Sequence, residues 1–216
     1  MSDTSTTVSS ELFEYVAAHT SGEDDFLREL KKAATEAGIP SIWIAPEQAS
    51  FQQILLRATG ARRVVEVGTL AGYSAIVMAR ALPDDGRVDT IELMEAHAAF
   101  AETWIAKSNV AGRVTVHRGA GTDVLRGLAD GSADAMFVDA DKESYGLYLV
   151  EARRILKRGG LVLVDNAFAF GKLLDAKEQE ASVLAVRSFN DTMAQDEAFH
   201  SVIVPIGDGL WVGVRR

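Results

Sequence analysis

The chain has 216 residues, of which 48% are hydrophobic and 25% are charged, and it carries a formal net charge of −9 at pH 7. A chain of this length and apolar content suits one compact domain with a sizeable core. The acidic balance argues against non-specific binding to DNA or RNA, which needs a basic surface, and the absence of cysteine excludes disulfides and thiolate chemistry.

The N-terminal part of the chain is predicted to form a helical extension of that domain. Residues 1–9 are small and polar without periodicity, and we expect them to be disordered. They lack the charged-then-apolar order of a signal peptide, and no apolar run approaches the ~20 residues that cross a bilayer. We therefore expect a cytoplasmic protein with no membrane partner. Helices are predicted over residues 10–19, 22–37 and 46–59, the last with Pro46 in its first turn.

From residue 61 onward, apolar strand-like runs alternate with helical patterns. Such alternation favours a parallel sheet with helices on both faces, and the Gly-containing turn at residues 207–209 is typical of a hairpin. We predict an α/β, Rossmann-like fold with a seven-stranded, mostly parallel sheet and a terminal antiparallel hairpin. The predicted strands lie at residues 62–68, 86–93, 113–119, 133–139, 161–166, 199–206 and 210–216, and the predicted helices between them at 72–82, 95–110, 122–130, 143–160 and 176–195.

The first two predicted strands end in residues that suit a nucleoside ligand. Ligands of such sheets bind at the carboxyl ends of the strands, near the point where the strand order reverses. Residues 66–74, EVGTLAGYS, form a glycine turn into a helix, whose backbone N–H groups suit an anion. Glu92 ends the second strand, where a carboxylate accepts from both hydroxyls of a ribose. The G-x-G-x-x-G fingerprint of dinucleotide enzymes is broken by Leu70 and Tyr73.

Glu66 indicates which nucleoside this is. A carboxylate just ahead of the glycine turn disfavours a pyrophosphate and favours a ligand with an ammonium group. S-adenosylmethionine (SAM) has an ammonium, a carboxylate and a ribose. Glu66 would face its ammonium, the Gly68 turn its carboxylate and Glu92 its ribose. The alternative is an ordinary strand–helix turn without a ligand.

A second group of polar residues ends the fourth and fifth predicted strands. Asp139, Asp165 and Asn166 can converge there, and their hard oxygen donors suit Mg²⁺, or Mn²⁺ or Ca²⁺. Three ligands leave the open positions that a catalytic metal needs, and Lys142 beside them is a candidate base. Taken singly, these acids are more simply interpreted as helix caps or solvated residues. The four histidines have no metal-like spacing and are interpreted as surface or structural.

Several motifs together carry a family resemblance. The segments VVEVGTLAGYSAIVMARAL, FVDADKESY and LVLVDNAF and the ending DGLWVGVRR occur in this order. Over about residues 40–216, the chain resembles the metal-dependent class I O-methyltransferases, the group of catechol and caffeoyl-CoA O-methyltransferases, and is most similar to bacterial members. The paired VDADK and DN motifs are far more specific than the glycine turn.

Together with the helices predicted ahead of residue 40, where no family motif is matched, the resemblance implies a single methyltransferase domain over residues 10–216, with N-terminal helices in 10–60 and the Rossmann-like core in 61–216. It implies methyl transfer from SAM, assisted by a divalent metal, to one hydroxyl of a vicinal diphenol or its CoA ester, in a protein that is commonly a homodimer. The implied roles are metal ligation by Asp139, Asp165 and Asn166, base catalysis by Lys142, acceptor contact by Asp141, and cofactor contact by Ile44, Glu66, Gly68, Thr69, Ser74, Glu92, Ala120, Gly121 and Asp139.

One segment departs from the family pattern. Plant-type members have a tryptophan shortly after the DN motif, whereas this chain reads AFAFGKLL at residues 167–174. Phe168 and Phe170 keep aromatic groups there, and we expect Phe168 to contact the acceptor. Without identifiable basic residues for a CoA, a smaller catechol-like acceptor is favoured. Rival interpretations are a nicotinamide dehydrogenase, a nucleic-acid methyltransferase and a non-enzymatic cofactor-binding module.

Overall fold

The computed structural model describes residues 6–20 and 22–216 of the chain. Of the segment predicted to be disordered, residues 1–5 lie outside the described residues, and residues 6–9 are exposed and without regular secondary structure. In the described part of the chain, no helix is both long enough and apolar enough to cross a membrane.

The three predicted N-terminal helices are present: α1 (Ser10–Ala18), α2 (Asp25–Glu36) and α3 (Pro46–Ala58). The Asp24 side chain caps α2 by accepting from the Leu27 N–H at 3.0 Å, as an N-cap aspartate does. Helix α2 buries Leu27 and Leu30, whereas α1 buries no residue. The Gln53 side chain of α3 donates to the Val77 carbonyl at 2.8 Å and so ties the extension to the core.

The sheet has the predicted seven strands, in the order β3-β2-β1-β4-β5-β7-β6. Strands β1 to β5 are parallel, and β7 runs antiparallel to both β5 and β6, so the terminal hairpin is confirmed. The order reverses between β1 and β4, which places the predicted ligand edge there. The strands are β1 (Arg63–Val67), β2 (Arg87–Glu92), β3 (Val114–Arg118), β4 (Ala133–Val138), β5 (Leu156–Val164), β6 (Phe199–Val204) and β7 (Leu210–Arg215).

Helices cover both faces of the sheet, and each face has its own core. Because side chains alternate along a strand, Val64 of β1 joins the cluster that includes α2, α3 and α4, whereas Val65 joins the cluster that includes Tyr145 and Trp211. The remaining helices are α4 (Tyr73–Ala81), α5 (Glu95–Lys107), α6 (Gly121–Arg126), α7 (Tyr145–Ile155) and α8 (Ala181–Ala194), with 3₁₀ turns at Ala111–Arg113 and Lys142–Ser144.

The predicted helix over residues 143–160 was wrong at its C-terminal end. Helix α7 stops at Ile155, and β5 begins at Leu156, which pairs with Ala133 of β4. The Lys157 ammonium lies 2.5 Å from a carboxylate oxygen of Asp134 on that neighbouring strand. Long-range pairing with β4 therefore overrides the local helical pattern, as tertiary context commonly does.

Candidate active site

The glycine turn between β1 and α4 depends on a close approach of two backbones. Gly68 has φ +100°, and a Cβ atom at this position would overlap the carbonyl of Asp139 at the end of β4. Only glycine allows both the left-handed conformation and this approach. The motif that suggested a ligand-binding turn thus also brings the ends of β1 and β4 together.

Glu66 is a fully buried carboxyl group beneath this turn. The Ser74 hydroxyl donates to its Oε1 atom, and the Thr90 hydroxyl donates to its Oε2 atom at 2.5 Å. Burial raises the pKa of Glu66 to about 8, with smaller contributions from the charges of Asp139 and Glu92 and in spite of the two hydroxyl donors. A buried carboxyl of this kind is stabilised in its charged form by a cation, which is what the ammonium of SAM provides.

Glu92 ends β2 at the predicted edge, but it also holds the glycine turn. Its Oε2 atom accepts from the N–H groups of Thr69 and Leu70 at 3.2 and 2.8 Å, and its Oε1 atom accepts from the Met94 N–H at 2.9 Å. Two of the turn's N–H groups therefore point to Glu92. A ligand carboxylate at this turn would compete with Glu92 for these two N–H groups.

A cavity of about 400 Å³ lies over the carboxyl ends of the strands. Its volume is within the range of small-molecule sites. At Gly121 a side chain would collide with Val67 and Tyr148, so glycine is needed for the wall to close. Ten predicted site residues line the cavity: Ile44, Gly68, Thr69, Ser74, Glu92, Ala120, Gly121, Asp139, Asp141 and Lys142.

Four predicted site residues lie outside the lining of this cavity: Glu66, Asp165, Asn166 and Phe168. Glu66 reaches it indirectly, through its hydrogen bond with Ser74. The Phe168 ring packs against Gly209, where a Cβ atom would lie within 3.0 Å of the ring. Phe170, by contrast, is 57% exposed and its ring centroid lies 5.9 Å from the Lys142 ammonium. The structure thus places the ring of Phe170 near the candidate base, whereas the ring of Phe168 packs against Gly209.

Asp139 and Asp165 follow neighbouring strands, and the Asp165 N–H donates to the Val138 carbonyl at 3.0 Å. Burial, together with the charge of Asp139, raises the pKa of Asp165 to about 7, although the Asn166 N–H donates to Asp165 Oδ1 at 2.8 Å and opposes the shift. Asn166 itself is left-handed, with φ 62°. A cation beside Asp139 and Asp165 would stabilise the charged form of Asp165.

This donor set fits a hard divalent cation. Among residues 6–20 and 22–216, no group of three or more His, Cys, Asp or Glu side chains is arranged to hold a metal. The candidate site instead combines the two carboxylates with the amide oxygen of Asn166. Such a set is suited to Mg²⁺ or Mn²⁺ only if water or an acceptor completes the coordination, so it would be an open site rather than a closed structural one.

Lys142 joins this acidic group to the cavity. Its ammonium lies 3.1 Å from Asp139 Oδ1 and 5.0 Å from the centroid of the Tyr145 ring, and only 10% of the side chain is exposed. The 3₁₀ turn that begins at Lys142 keeps the residue close to the end of β4. It is therefore positioned to exchange a proton with a ligand bound beside Asp139.

Tyr148 and His97 line the cavity, but sequence reasoning assigned neither of them to the site. Tyr148, one turn into α7, donates its hydroxyl to Asp141 Oδ1 at 2.6 Å, and burial raises its pKa above the ordinary value. His97, interpreted as surface or structural, also lines the cavity, with Nδ1 3.7 Å from Glu92 Oε1. The only sequence feature that could have indicated them is their position in the first turn of a helix that follows a strand ending in an acidic residue.

Known proteins are similar to this chain in both sequence and fold. A family model described as O-methyltransferase matches residues 17–216. The catechol O-methyltransferase of Niastella koreensis is 36% identical over 205 residues, which cover 94% of this chain and 90% of the relative. The O-methyltransferase of Bacillus cereus, solved with S-adenosylhomocysteine (SAH), is 29% identical with a TM-score of 0.87, covering 95% of this chain and 97% of that one. An O-methyltransferase of Streptomyces achromogenes, solved with SAM, is 31% identical with a TM-score of 0.84, covering 95% and 96%.

Proposed function

Because the chain belongs to the O-methyltransferase family, and is a SAM-dependent O-methyltransferase, we propose that its acceptor is a catechol-like vicinal diphenol and that transfer requires a divalent cation. One observation carries the proposal. Asp139 and Lys142 line the same cavity as the residues expected to contact SAM, and Asp165 and Asn166, which lie outside that lining, follow the strand that pairs with β4.

The donor half of the site is assigned to the ends of β1 and β2. Glu66 would pair with the ammonium of SAM on the side where Ser74 donates to it. Because this carboxyl is buried, a nearby cation would stabilise its charged form. Glu92 would accept from the ribose hydroxyls while it keeps the glycine turn in place. Gly121 lets Val67 and Tyr148 pack directly against the backbone in the wall of this cavity.

The acceptor half is assigned to the ends of β4 and β5. Asp139, Asp165 and Asn166 would hold the cation. When bound, the cation supplies Lewis acidity that lowers the pKa of the reacting hydroxyl and fixes both acceptor oxygens. The charges support this assignment, because a bound cation would offset the unfavourable effect of the Asp139 charge on the charged form of Asp165.

The chain's own groups position the reacting atoms. Lys142, beside Asp139, would take the proton of the hydroxyl when its side chain is the neutral amine, and would become the ammonium. The acceptor oxygen then attacks the methyl carbon, the carbon–sulfur bond breaks, and its electron pair returns to sulfur, so that SAH leaves without the sulfonium charge. Holding both reactants across one cavity makes this step effectively unimolecular.

The surroundings of the acceptor half favour a small acceptor over a CoA ester. Phe170, more than half exposed, offers an aromatic face near Lys142. Lys172 on the same loop is paired with Glu178 and Glu180 at 3.3 and 2.7 Å, so its charge is already neutralised within the loop. The name of the Niastella relative, a catechol O-methyltransferase, supports the same acceptor class. We also propose a cytoplasmic homodimer, on the resemblance alone.

A product assay tests this proposal. The pure protein is incubated with SAM and caffeic acid in Mg²⁺, then in EDTA, and products are followed by mass. We expect a singly methylated product that disappears with EDTA and returns with added Mg²⁺. A product that forms equally in EDTA would contradict the metal requirement. Methylation of caffeoyl-CoA but not of free caffeic acid would replace the small acceptor with the CoA ester.

A further inference from the structure

The segment that follows β5 has an unusual backbone for its sequence. Asn166, Ala169 and Phe170 are not glycines, yet all three have positive φ, at 62°, 51° and 57°. Non-glycine residues adopt this left-handed region rarely, and they persist there only when surrounding contacts hold them. Asn166 is a candidate cation ligand and Phe170 an aromatic residue near Lys142, so whatever holds this backbone also sets the acceptor half of the site.

The turn between β6 and β7 supplies those contacts. The Oδ2 atom of Asp208 accepts from the Asn166 side-chain amide at 3.2 Å and from the Phe170 N–H at 2.8 Å. The main chain of the same turn adds two more bonds, because the Ala167 N–H donates to the Gly209 carbonyl and the Phe168 N–H donates to the Asp208 carbonyl, both at 2.9 Å. One carboxylate oxygen therefore links the amide of Asn166 to the backbone of Phe170.

This contact decides which way the Asn166 amide faces. An ionised carboxylate only accepts hydrogen bonds, so the NH₂ group of Asn166 must be the part that faces Asp208. The amide oxygen, the only side-chain atom of Asn166 that ligates a hard cation, is then directed away from Asp208. A free amide at this position would have two orientations, and one of them would turn a donor toward the cation.

We propose that Asp208 is a positioning residue: it fixes the amide of Asn166 with its oxygen available as a cation ligand and, through the same carboxylate oxygen, holds Phe170 in its left-handed conformation beside the acceptor. The inference rests on the proposed cation site. Groups behind metal ligands commonly have this role, and their loss typically weakens metal affinity by about 10- to 100-fold.

The test is a titration of the full chain, with SAH bound, with Mn²⁺ followed by electron paramagnetic resonance. Asp208→Ala removes both hydrogen bonds, and we expect Mn²⁺ affinity to fall about 10-fold or more. Asp208→Asn removes the charge but keeps an acceptor oxygen, so it is expected to retain a substantial part of the affinity. Asp175→Ala is the matched control, because it removes an exposed carboxylate of the neighbouring loop that accepts from the Lys177 N–H.

Each outcome has a definite meaning. Equal Mn²⁺ affinity of wild type and Asp208→Ala would overturn the inference while leaving the proposed function intact. Equal losses in Asp208→Ala and Asp208→Asn would overturn it too, because a through-space charge effect would then suffice. If wild type itself binds no Mn²⁺ but binds SAH, the inference and the cation half of the proposed function fail together. SAH binding by each variant verifies that the variant is folded. If Asp208→Ala does not fold, the Mn²⁺ affinity of Asp208→Asn is compared with that of wild type and of Asp175→Ala. A substantial retained affinity in Asp208→Asn then supports the inference, and its loss overturns it.

Discussion

The two halves of the ligand edge are built differently. At the ends of β1 and β2, the carboxyl groups of Glu66 and Glu92 each accept at least two hydrogen bonds from groups of that half itself. At the ends of β4 and β5, the charge of Asp139 helps to raise the pKa of Asp165, and Asn166, Ala169 and Phe170 after them are left-handed. The donor half is thus held by hydrogen bonds among its own groups, whereas the acceptor half is held by the β6–β7 turn and, in our proposal, would be completed by a cation.

The most damaging way to break the acceptor half is Asp165→Ala. It removes one of two carboxylates from the proposed cation site, and we expect metal-dependent turnover to fall by at least about 100-fold. SAH affinity, measured by calorimetry, should change little because the donor half is intact. Asp123→Ala, at an exposed ion pair with Arg126, is a suitable control. Wild-type turnover in Asp165→Ala would remove this residue from the site.

Lys142→Ala breaks the acceptor half without removing a cation ligand. Loss of a general base typically costs about 10²- to 10⁴-fold in rate, so we expect kcat to fall within that range while SAH and Mn²⁺ affinities stay near wild type. The substitution of Lys157, an exposed lysine paired with Asp134, by Ala controls for the loss of charge. A parallel loss of SAH binding in Lys142→Ala would show that the residue supports the donor half instead.

Glu66→Gln is the corresponding change in the donor half. It keeps the shape of the side chain but removes the charge that would pair with the ammonium of SAM. Because charged hydrogen bonds contribute about 1.5–3 kcal/mol, we expect SAM affinity to fall about 10-fold or more by calorimetry. Mn²⁺ binding should be unaffected. Unchanged SAM affinity would mean that the ammonium lies elsewhere.

Glu66 also predicts how stability depends on pH. Its pKa is raised in the folded protein from 4.5 to about 8, so between these values the folded chain keeps a proton that the unfolded chain has released. Unfolding free energy of the ligand-free protein should therefore decrease as pH rises from about 4.5 to about 8. Asp165, with its pKa raised to about 7, acts in the same direction. Urea titrations across this range should show a shallower decrease in Glu66→Gln, and an identical slope would contradict the assignment.

The smallest effect is expected from loosening the loop beside the acceptor half. Arg187 of α8 donates to the carbonyls of Lys172, Leu173, Asp175 and Glu178 at 2.5–3.2 Å. Arg187→Ala should raise the KM for the acceptor several-fold, because ordering the loop then costs entropy on binding, and should leave SAM affinity unchanged. Arg153→Ala is the control, because it removes an arginine from a different helix, α7, where that arginine pairs with Asp196. Steady-state kinetics with the acceptor varied separates the two.

The contrast between the halves also explains what the sequence could predict. The alternation of apolar runs and helical patterns is local, and it correctly predicted the seven strands and the hairpin. The glycine turn and the acids at strand ends are also local, so ten predicted site residues line the cavity. The start of β5 was missed because it depends on pairing with Ala133 in another strand.

Fewer features of the acceptor half could be predicted from the sequence. Asp208 lies in a hairpin turn 42 residues after Asn166 in the sequence, and nothing in that turn's pattern indicates a bond to the amide. The relative positions of Phe168 and Phe170 follow from the left-handed conformations of Ala169 and Phe170, which the sequence AFAF does not predict. Contacts between distant segments decide both features, and periodicity carries no information about them.

The most direct test of the two-half account is calorimetry on the wild-type protein with SAH and a catechol, each titrated in Mg²⁺ and in EDTA. The account predicts that SAH binds with similar affinity under both conditions, because Glu66, Glu92 and the glycine turn form its site without a cation. It predicts that the catechol binds the SAH-loaded protein in Mg²⁺ and loses most of its affinity in EDTA. Catechol binding that EDTA leaves unchanged, or SAH binding that EDTA abolishes, would contradict it.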